Sequence, residues 1–282
     1  MPRILIAGGS GALGREIVAA LRPTGHQIRI LSRKAAPTTI DPRVEWEQAD
    51  VATGSGIAQG VRDVDVIVNC VSDPFGKAYQ TDVTGTRQFL QAARQAGVQH
   101  VLHISIVGID QIPSTYYQIK REAEQVVCAS GIPWTNIRIV QFHTLLDLVM
   151  QRMTAHLLPF VPLPLDWKFQ LIDTSDVAAY LVPHILGTPA GRLPDLGGPE
   201  VLPMRQIARQ WLDAKGDHRP LLPFQLLGRL AFKEASAGFV RENNLVPDSH
   251  YGRVTWSEYV RQRYAVGRNT ASRGGTLLKE NR

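Results

Sequence analysis

Apolar β-type runs alternate with amphipathic helical segments along the first half of the chain, and this order constrains the fold more than any other feature. Continuous apolar runs are typical of strands buried on both faces, while the segments between them repeat apolar residues at helical spacing. The strand runs are at residues 3–7, 27–33, 43–50, 64–72, 100–108 and 134–142, and the helical segments at 13–25, 81–98 and 116–131. Strands and helices in this order form right-handed crossovers, which predicts an α/β fold with a doubly wound parallel sheet.

The composition of the sequence changes after about residue 143. Prolines become frequent there, and turn-rich connections join the helical segments. We therefore expect residues 1–142 to form the main domain. Residues 143–264 are expected to form a smaller C-terminal substrate lobe, interwoven with the sheet and closing over the carboxyl ends of its strands. The Gly/Ser/Asn-rich residues 265–282 are predicted to be a disordered tail.

Charge and cysteine content narrow the classes of function. The net charge is +6, but residues 265–282 hold four basic residues and one acidic residue, so no nucleic acid contact is expected. No run approaches the roughly 20 apolar residues of a membrane span, and no secretory signal begins the chain, so we expect no membrane contact and a cytoplasmic location. Cys70 and Cys128 lack a C-x-x-C spacing, and His100 and His103 lack a nearby carboxylate, so no metal is predicted.

A glycine-rich loop follows the first strand and opens the first helix, which is the context that a dinucleotide-binding loop requires. Its glycines fit two registers, G-x-G-x-x-G from Gly9 and G-x-x-G-x-x-G from Gly8. In either register Gly11 lets the backbone approach a pyrophosphate and Gly14 lets the helix pack closely on the strand. The phosphates would rest on the first amides of the helix. The residues of the loop predicted to bind the dinucleotide are Gly8, Gly9, Ser10, Gly11, Ala12, Leu13 and Gly14.

The end of the second strand indicates which dinucleotide is bound. An NAD site carries an acidic residue about 20 residues after the loop, whereas this chain has Ser32, Arg33 and Lys34 there. Arginine beside a lysine and a hydroxyl suits a 2′-phosphate, so the cofactor is predicted to be NADP(H). Asp50 is placed either to reach the adenine amino group or to cap the next helix. Further cofactor contacts are expected where later strands end, at Val51, Cys70, Val71 and Gln141.

Six stretches together resemble one family: GGSGALGREIV, LSR, DVTGT (82–86), HISIVGID (103–110), YYQIKREAEQVVCASGIPWTNIRIVQF (116–142) and DTSDVA (173–178). They are similar to the atypical short-chain dehydrogenase/reductase group and, within it, to the NmrA-like NAD(P)H-binding branch. The resemblance spans residues 3 to about 215 and implies a Rossmann-type sheet of about seven strands with a small C-terminal substrate lobe. Family members include reductases of carbonyl and quinone-type substrates, and also sensors that bind the dinucleotide without turning it over.

Tyr116 and Lys120 are the candidate catalytic pair, because residues four apart lie on one side of a helix. A lysine ammonium beside a phenol is expected to lower the tyrosine pKa toward the working range of a general acid. The resemblance implies that Lys120 also holds the nicotinamide ribose. Tyr117 competes with Tyr116 for the same role. Ser105 is the candidate third residue, although the family register favours position 107, which is a valine, and Ser114 or Thr115 could substitute.

Two functions remain open. The first is an NADPH-dependent oxidoreductase that reduces a small apolar carbonyl or quinone-type substrate, with residues 157–171 as an apolar wall. The second is a non-catalytic NADP(H)-binding redox sensor or assembly protein of the NmrA type, which would need a protein partner. The sequence leaves a homodimer open in either case.

Overall fold

The computed structural model describes residues 1–39, 41–155, 158–223 and 238–273, with side chains as far as residue 265. A seven-stranded sheet in the order β3-β2-β1-β4-β5-β6-β9 forms its centre. All neighbouring strands in it are parallel. These strands are β1 (Arg3–Ala7), β2 (Gln27–Ser32), β3 (Val44–Gln48), β4 (Val66–Asn69), β5 (His100–Ile106), β6 (Trp134–Ile139) and β9 (Gly191–Arg192).

Helices cover both faces of the sheet. Successive side chains of each strand point to opposite sides, so each strand contributes apolar residues to both faces. Ile4 and Ile6 of β1 pack into one apolar core, and Leu5 and Ala7 into the other. The helices of the first domain are α1 (Ala12–Leu21), α2 (Ile57–Gly60), α3 (Thr86–Gln95) and α4 (Thr115–Cys128), with a 3-10 turn at Arg22–Thr24 and a π-helical segment at Tyr79–Gly85. Residues of α1 pack on the first face and residues of α3 and α4 on the second, so the sheet is doubly wound as predicted.

The C-terminal part adds a smaller third core and also contributes to the sheet. Its elements are α5 (His143–Thr154), β7 (Val161–Leu163), β8 (Lys168–Leu171), α6 (Thr174–Leu186), β10 (Glu200–Pro203), α7 (Met204–Lys215), β11 (Leu221–Pro223) and α8 (Trp256–Arg273). Strand β9 joins the central sheet, and α6 packs beside α1 on its first face. Since α8 continues to Arg273, the tail predicted to be disordered is helical up to that residue, and its remainder lies outside the described residues.

A buried carboxylate joins three helices of this lobe. Asp147 on α5 accepts a hydrogen bond from the indole nitrogen of Trp211 on α7, at 2.7 Å. It also accepts one from the hydroxyl of Tyr264 on α8. Trp211 and Trp256 are both fully buried, and the indole N–H of Trp256 is likewise paired, with the carbonyl of Ile207 at 3.0 Å. Each of these two buried indoles therefore has its one polar atom satisfied.

The order of the sheet fixes where a ligand can bind. The chain winds outward from β1 in one direction to β2 and β3, and in the other direction from β4 to β6. Open α/β sheets bind ligands at the carboxyl ends of the strands, beside the point where this direction reverses. Here that point lies between β1 and β4, next to the glycine-rich loop.

Candidate functional site

The glycine-rich loop turns sharply between β1 and α1. Gly8 has a φ of +79°, in the left-handed region that favours glycine, and its N–H donates to the carbonyl of Leu31 at 2.9 Å. The N–H of Gly11 in turn donates to the carbonyl of Gly8 at 2.9 Å. Gly11 is the N-cap of α1 and no side chain caps it, so the first amides of the helix remain available to an anion.

Gly14 is the most tightly packed position of the loop. A Cβ there would lie 2.4 Å from the carbonyl oxygen of Gly8 and 2.6 Å from the Cα of Gly9. A Cβ on Gly9 would meet the side chain of Ile30 at 2.9 Å. Both registers are therefore used, because Gly8 provides the left-handed turn while Gly9 and Gly14 provide close approach.

A Gly14→Ala variant is expected to lose about 1–3 kcal/mol of unfolding free energy and most of its dinucleotide affinity, since the methyl group must push α1 away from the loop. Urea denaturation and calorimetric titration with NADPH measure the two effects. Gly25→Ala is the matched control, because Gly25 has a positive φ but no atom lies within 4 Å of its would-be Cβ. The control should lose some stability and keep its affinity; equal affinity in both variants would show that the loop tolerates a side chain.

The end of β2 presents two cations beside the loop. The hydroxyl of Ser32 lies 2.7 Å from that of Ser10 and accepts the backbone N–H of Lys34 at 3.1 Å. Gln48 donates to the backbone carbonyl of Arg33 at 3.1 Å. The backbone is thus held from both sides, while the side chains of Arg33 and Lys34 are exposed. Within the described part of the chain, neither side chain forms a hydrogen bond or an ion pair.

A cleft runs from the glycine-rich loop toward the end of β4. Besides Leu31, Ala49, Ser72 and Thr81, it is lined by ten of the residues predicted to bind cofactor: Gly8, Ser10, Gly11, Ser32, Arg33, Lys34, Asp50, Val51, Cys70 and Val71. Gly9, Ala12, Leu13, Gly14, Lys120 and Gln141 do not line this cleft.

The surroundings of the Asp50 carboxylate and the Cys70 thiol indicate what each group does in the cleft. One carboxylate oxygen of Asp50 accepts the backbone N–H of Ala52 at 2.9 Å, which stabilises the turn after β3. Burial raises the pKa of the Cys70 thiol to about 12, and the nearby Lys120 ammonium opposes only part of that rise. Cys70 is therefore an unreactive wall of the cleft.

Tyr116 is half-buried and lies beside Ser72, which lines this cleft. Its hydroxyl is 3.0 Å from the hydroxyl of Ser72, on the loop that follows β4. Burial of the phenol raises the pKa of Tyr116 above its ordinary value of about 10, while the Lys120 ammonium and the Ser72 hydrogen bond act in the opposite direction and only partly offset it. The expected lowering of the tyrosine pKa is therefore wrong in sign, because burial outweighs the lysine.

Lys120 is buried, at 2% exposure, and paired. Its ammonium donates to a carboxylate oxygen of Asp82 at 3.2 Å and to the carbonyl of Ile104 at 3.3 Å. Asp82 is itself 1% exposed and lies in the π-helical segment before α3, where the sequence pattern predicts an ordinary helix. Irregular π turns of this kind often occur at functional sites. The sequence patterns did not single out Asp82 as a site residue, although it begins the DVTGT stretch.

Ser105 is in the interior of the sheet. It is 0% exposed and its hydroxyl has no hydrogen-bond partner in the structure. Its neighbour in the strand, His103, contacts Asn69 at 3.3 Å, and burial followed by the Lys120 charge lowers the pKa of His103 well below its ordinary value. The hydroxyl that meets Tyr116 is thus that of Ser72, which was not among the predicted site residues.

Tyr117 and Ser114 both have structural partners. Tyr117 is buried among Ile109 and Ile112, and its hydroxyl accepts from Gln141 at 3.3 Å. Burial raises the pKa of Tyr117 to about 12, offset in part by that hydrogen bond. Ser114 caps α4 through the backbone N–H of Tyr117.

A charged group of the lobe contacts an aromatic ring of the loop after β4. The guanidinium of Arg152 on α5 lies 4.3 Å from the ring centre of Phe75, and this ring is 54% exposed. Of residues 157–171, expected to form an apolar wall, Leu163, Leu165 and Phe169 pack instead into the core of the lobe. Residue 157 lies outside the described residues.

Three polar residues of the lobe, His143, Asp173 and Asp176, contact other groups of the lobe. His143 is 1% exposed and lies 3.5 Å from Asp173, so it does not project into the cleft. Asp173 is the N-cap of α6, and Asp176 in the first turn of that helix accepts from the backbone N–H groups of Arg253 and Val254. In the described part of the chain, no helix is long and apolar enough to cross a membrane, and no three metal-binding side chains cluster.

Comparison with known proteins shows the family to which the chain is similar. Residues 8–152 match the family model described as NAD(P)H-binding. A reductase of (4-alkanoyl-5-oxo-2,5-dihydrofuran-3-yl)methyl phosphate from Streptomyces griseus is 30% identical over 239 residues, covering 80% of this chain and 77% of that protein. The 3-beta-hydroxysteroid dehydrogenase of Mycolicibacterium neoaurum is 26% identical over 277 residues, covering 82% and 74%.

The fold of the chain is also similar to that of a solved protein structure. The NADPH-dependent quinone oxidoreductase QOR2 of Escherichia coli, solved with NADPH, superposes with a TM-score of 0.70 at 19% identity, covering 93% of this chain and 99% of that one. At such an identity the likeness is one of fold. The sheet, the glycine-rich loop and the cleft define a Rossmann-type NAD(P)H-binding protein of the oxidoreductase type. The chain belongs to the NAD(P)H-binding family of atypical, NmrA-like short-chain dehydrogenases/reductases.

Proposed function

We propose that the protein is an NADPH-dependent reductase of small, apolar carbonyl or quinone-type substrates. The observation that carries this proposal is the phenol of Tyr116, which lies beside Lys120 and shares a hydrogen bond with Ser72, a residue that lines the cleft. A sensor would need only the cleft. A reductase needs in addition a proton donor beside the cleft, and Tyr116 provides one.

The residues of the cleft fit NADP(H) better than NAD(H). The positions where a Cβ would crowd the turn are glycines, so the backbone can approach a pyrophosphate at the start of α1. Arg33 and Lys34 offer a guanidinium and an ammonium without carboxylate partners in the described residues. Both groups suit a 2′-phosphate, since charge-assisted bonds to phosphate are among the strongest available to a protein.

The chemistry divides between the cofactor and the chain. When bound, the dinucleotide supplies a hydride to the carbonyl carbon. Tyr116 gives a proton to the carbonyl oxygen, and its raised pKa keeps the phenol protonated at neutral pH so that it can donate. Lys120 lies close by as part of an ion pair with Asp82, so its charge is already compensated before substrate arrives.

An apolar substrate agrees with the exposed side chains near the loop after β4. Phe75 follows Ser72 by three residues, and its ring is exposed and contacted by Arg152. One relative is named as a 3-beta-hydroxysteroid dehydrogenase, and another as a reductase of an alkanoyl dihydrofuranone that carries a phosphate. These observations support an apolar carbonyl compound as substrate class.

Purified protein incubated with NADPH and a panel of quinones, enones, ketones and aldehydes tests the proposal. Loss of absorbance at 340 nm with at least one substrate is expected. Tight NADPH binding without turnover of any member would contradict the enzyme and would favour the redox sensor.

Replacing Arg33 by alanine is expected to weaken NADPH binding about tenfold to a hundredfold, because one charge-assisted bond to phosphate is lost. NADH affinity should change by less than about twofold. Calorimetric titration with each dinucleotide measures both, and Arg62→Ala, at an exposed position away from the cleft, serves as control. Equal losses for the two dinucleotides would contradict the assignment of NADP(H).

A further inference from the structure

The hydroxyl that lies beside Tyr116 is not the one that the family resemblance implies. A serine of β5 would be expected to assist the tyrosine. Ser105 is the serine in that strand, but it is 0% exposed and its hydroxyl forms no hydrogen bond with any described residue. A side chain enclosed in the sheet cannot meet a substrate without a rearrangement of the strands around it.

Ser72 has the opposite properties. It is exposed, lines the same cleft as Gly8 and Ser32, and its hydroxyl is 3.0 Å from that of Tyr116. A hydroxyl both donates and accepts, so Ser72 can bond the tyrosine oxygen and a second oxygen at the same time. A carbonyl oxygen that accepts the tyrosine proton would therefore lie within reach of Ser72.

We propose that Ser72 is the catalytic hydroxyl that assists Tyr116 at the substrate carbonyl oxygen, and that buried Asp82 is the positioning residue that holds Ser72 in place. This inference rests on the proposed reductase function. It assigns to the loop after β4 a role that the family pattern would give to β5.

Asp82 connects the two sides of the site. One carboxylate oxygen accepts the Lys120 ammonium at 3.2 Å, and the other accepts the backbone N–H of Asp73 at 3.1 Å. Asp73 is the residue after Ser72, so this bond fixes the backbone from which the Ser72 hydroxyl projects. The bond from Lys120 is buried and the bond from Asp73 is partly buried, and hydrogen bonds in such surroundings are stronger than on the surface.

The atoms balance as a simple reduction. The carbonyl carbon receives a hydride from the bound reduced dinucleotide, and the carbonyl π bond breaks as its oxygen takes the Tyr116 proton. The products are an alcohol and the oxidised dinucleotide. The tyrosinate recovers a proton from solvent. Ser72 donates a hydrogen bond to the oxygen while negative charge develops there, and it undergoes no net change.

Ser72→Ala, Ser72→Thr and Ser105→Ala test the assignment with two measurements. One is kcat and KM with NADPH and the best substrate of the panel. The other is the pH titration of the Tyr116 ¹³Cζ resonance in protein without cofactor, assigned by its absence in Tyr116→Phe. The second measurement needs no turnover.

Ser72→Ala should lower kcat about tenfold to a hundredfold with little change in NADPH affinity, as expected for a hydrogen-bond donor used in the transition state. It should also shift the Tyr116 titration to higher pH, because the Ser72 hydrogen bond lowers that pKa. Ser72→Thr should largely restore both, and Ser105→Ala should leave both near wild type.

The opposite pattern, with Ser105→Ala impaired and Ser72→Ala unchanged in rate and titration, would overturn the assignment. If the wild-type protein turns over no substrate, the reductase proposal itself fails. The titration then still decides the pairing: a shift in Ser72→Ala supports it and an unchanged midpoint overturns it.

Discussion

An Asp82→Ala variant is expected to lose about 3–5 kcal/mol of unfolding free energy, the cost of leaving one partner of a buried ion pair alone. Asp82 and Lys120 are 1% and 2% exposed, so water cannot replace the missing carboxylate. The carboxylate also holds the backbone of Asp73, and that bond is lost too. Urea denaturation followed by circular dichroism measures the change.

Two controls show whether burial is the cause. Lys168→Ala breaks an ion pair with Glu242 whose side chains are 47% and 45% exposed, and it should cost less than about 1 kcal/mol. The double variant Asp82→Leu with Lys120→Met removes both charges and should recover much of the stability, since apolar replacement of a buried pair is often neutral. A loss below about 1 kcal/mol in Asp82→Ala would show that the pair is not buried in solution.

Tyr116→Phe is expected to lower kcat by about 10²- to 10⁴-fold, the usual contribution of a positioned general acid. The variant keeps the ring and loses only the proton donor, so NADPH affinity and stability should stay near wild type. Tyr117→Phe is the matched control on the adjacent position. It loses one hydrogen bond from Gln141 and should keep most of the activity. Similar losses in both variants would point to general disruption of α4.

The raised pKa of Tyr116 gives the direction of the pH dependence. A proton donor must be protonated, and burial keeps the phenol protonated up to a pH above its ordinary value of about 10. The rate of reduction should therefore show no loss assigned to Tyr116 between about pH 7 and 9. A fall in kcat with a midpoint below about pH 9 that disappears in Tyr116→Phe would contradict this sign.

The glycine-rich loop and the parallel sheet could be predicted from the sequence because their signals are local. Gly8 and Gly14 lie within one strand-turn-helix unit, and the apolar runs indicate strands buried on both faces. The basic pair Arg33 and Lys34 could likewise be read from the end of one strand. In each case the residues that matter are near neighbours along the chain.

The contacts around Tyr116 and Lys120 could not be predicted in the same way. Ser72 and Tyr116 are separated by 44 residues, and Asp82 and Lys120 by 38. Only the tertiary packing of the loop after β4 against α4 brings them together. The sequence predicts a lowered pKa for Tyr116, whereas the structure gives a raised one. The spacing of Tyr116 and Lys120 on a helix shows that they are neighbours, but it does not show how far burial removes the phenol from water.

Transfer of an isotope label from NADPH to a substrate tests most directly whether the protein oxidises its dinucleotide. The protein is incubated with NADPH deuterated at both C4 positions of the nicotinamide and with the ketones and aldehydes of the panel, and products are examined by mass spectrometry. We predict an alcohol that carries one deuterium on the former carbonyl carbon, with formation that depends on Tyr116. Saturating NADPH binding with no deuterated alcohol, and with no NADPH oxidation by the quinones, would contradict the account.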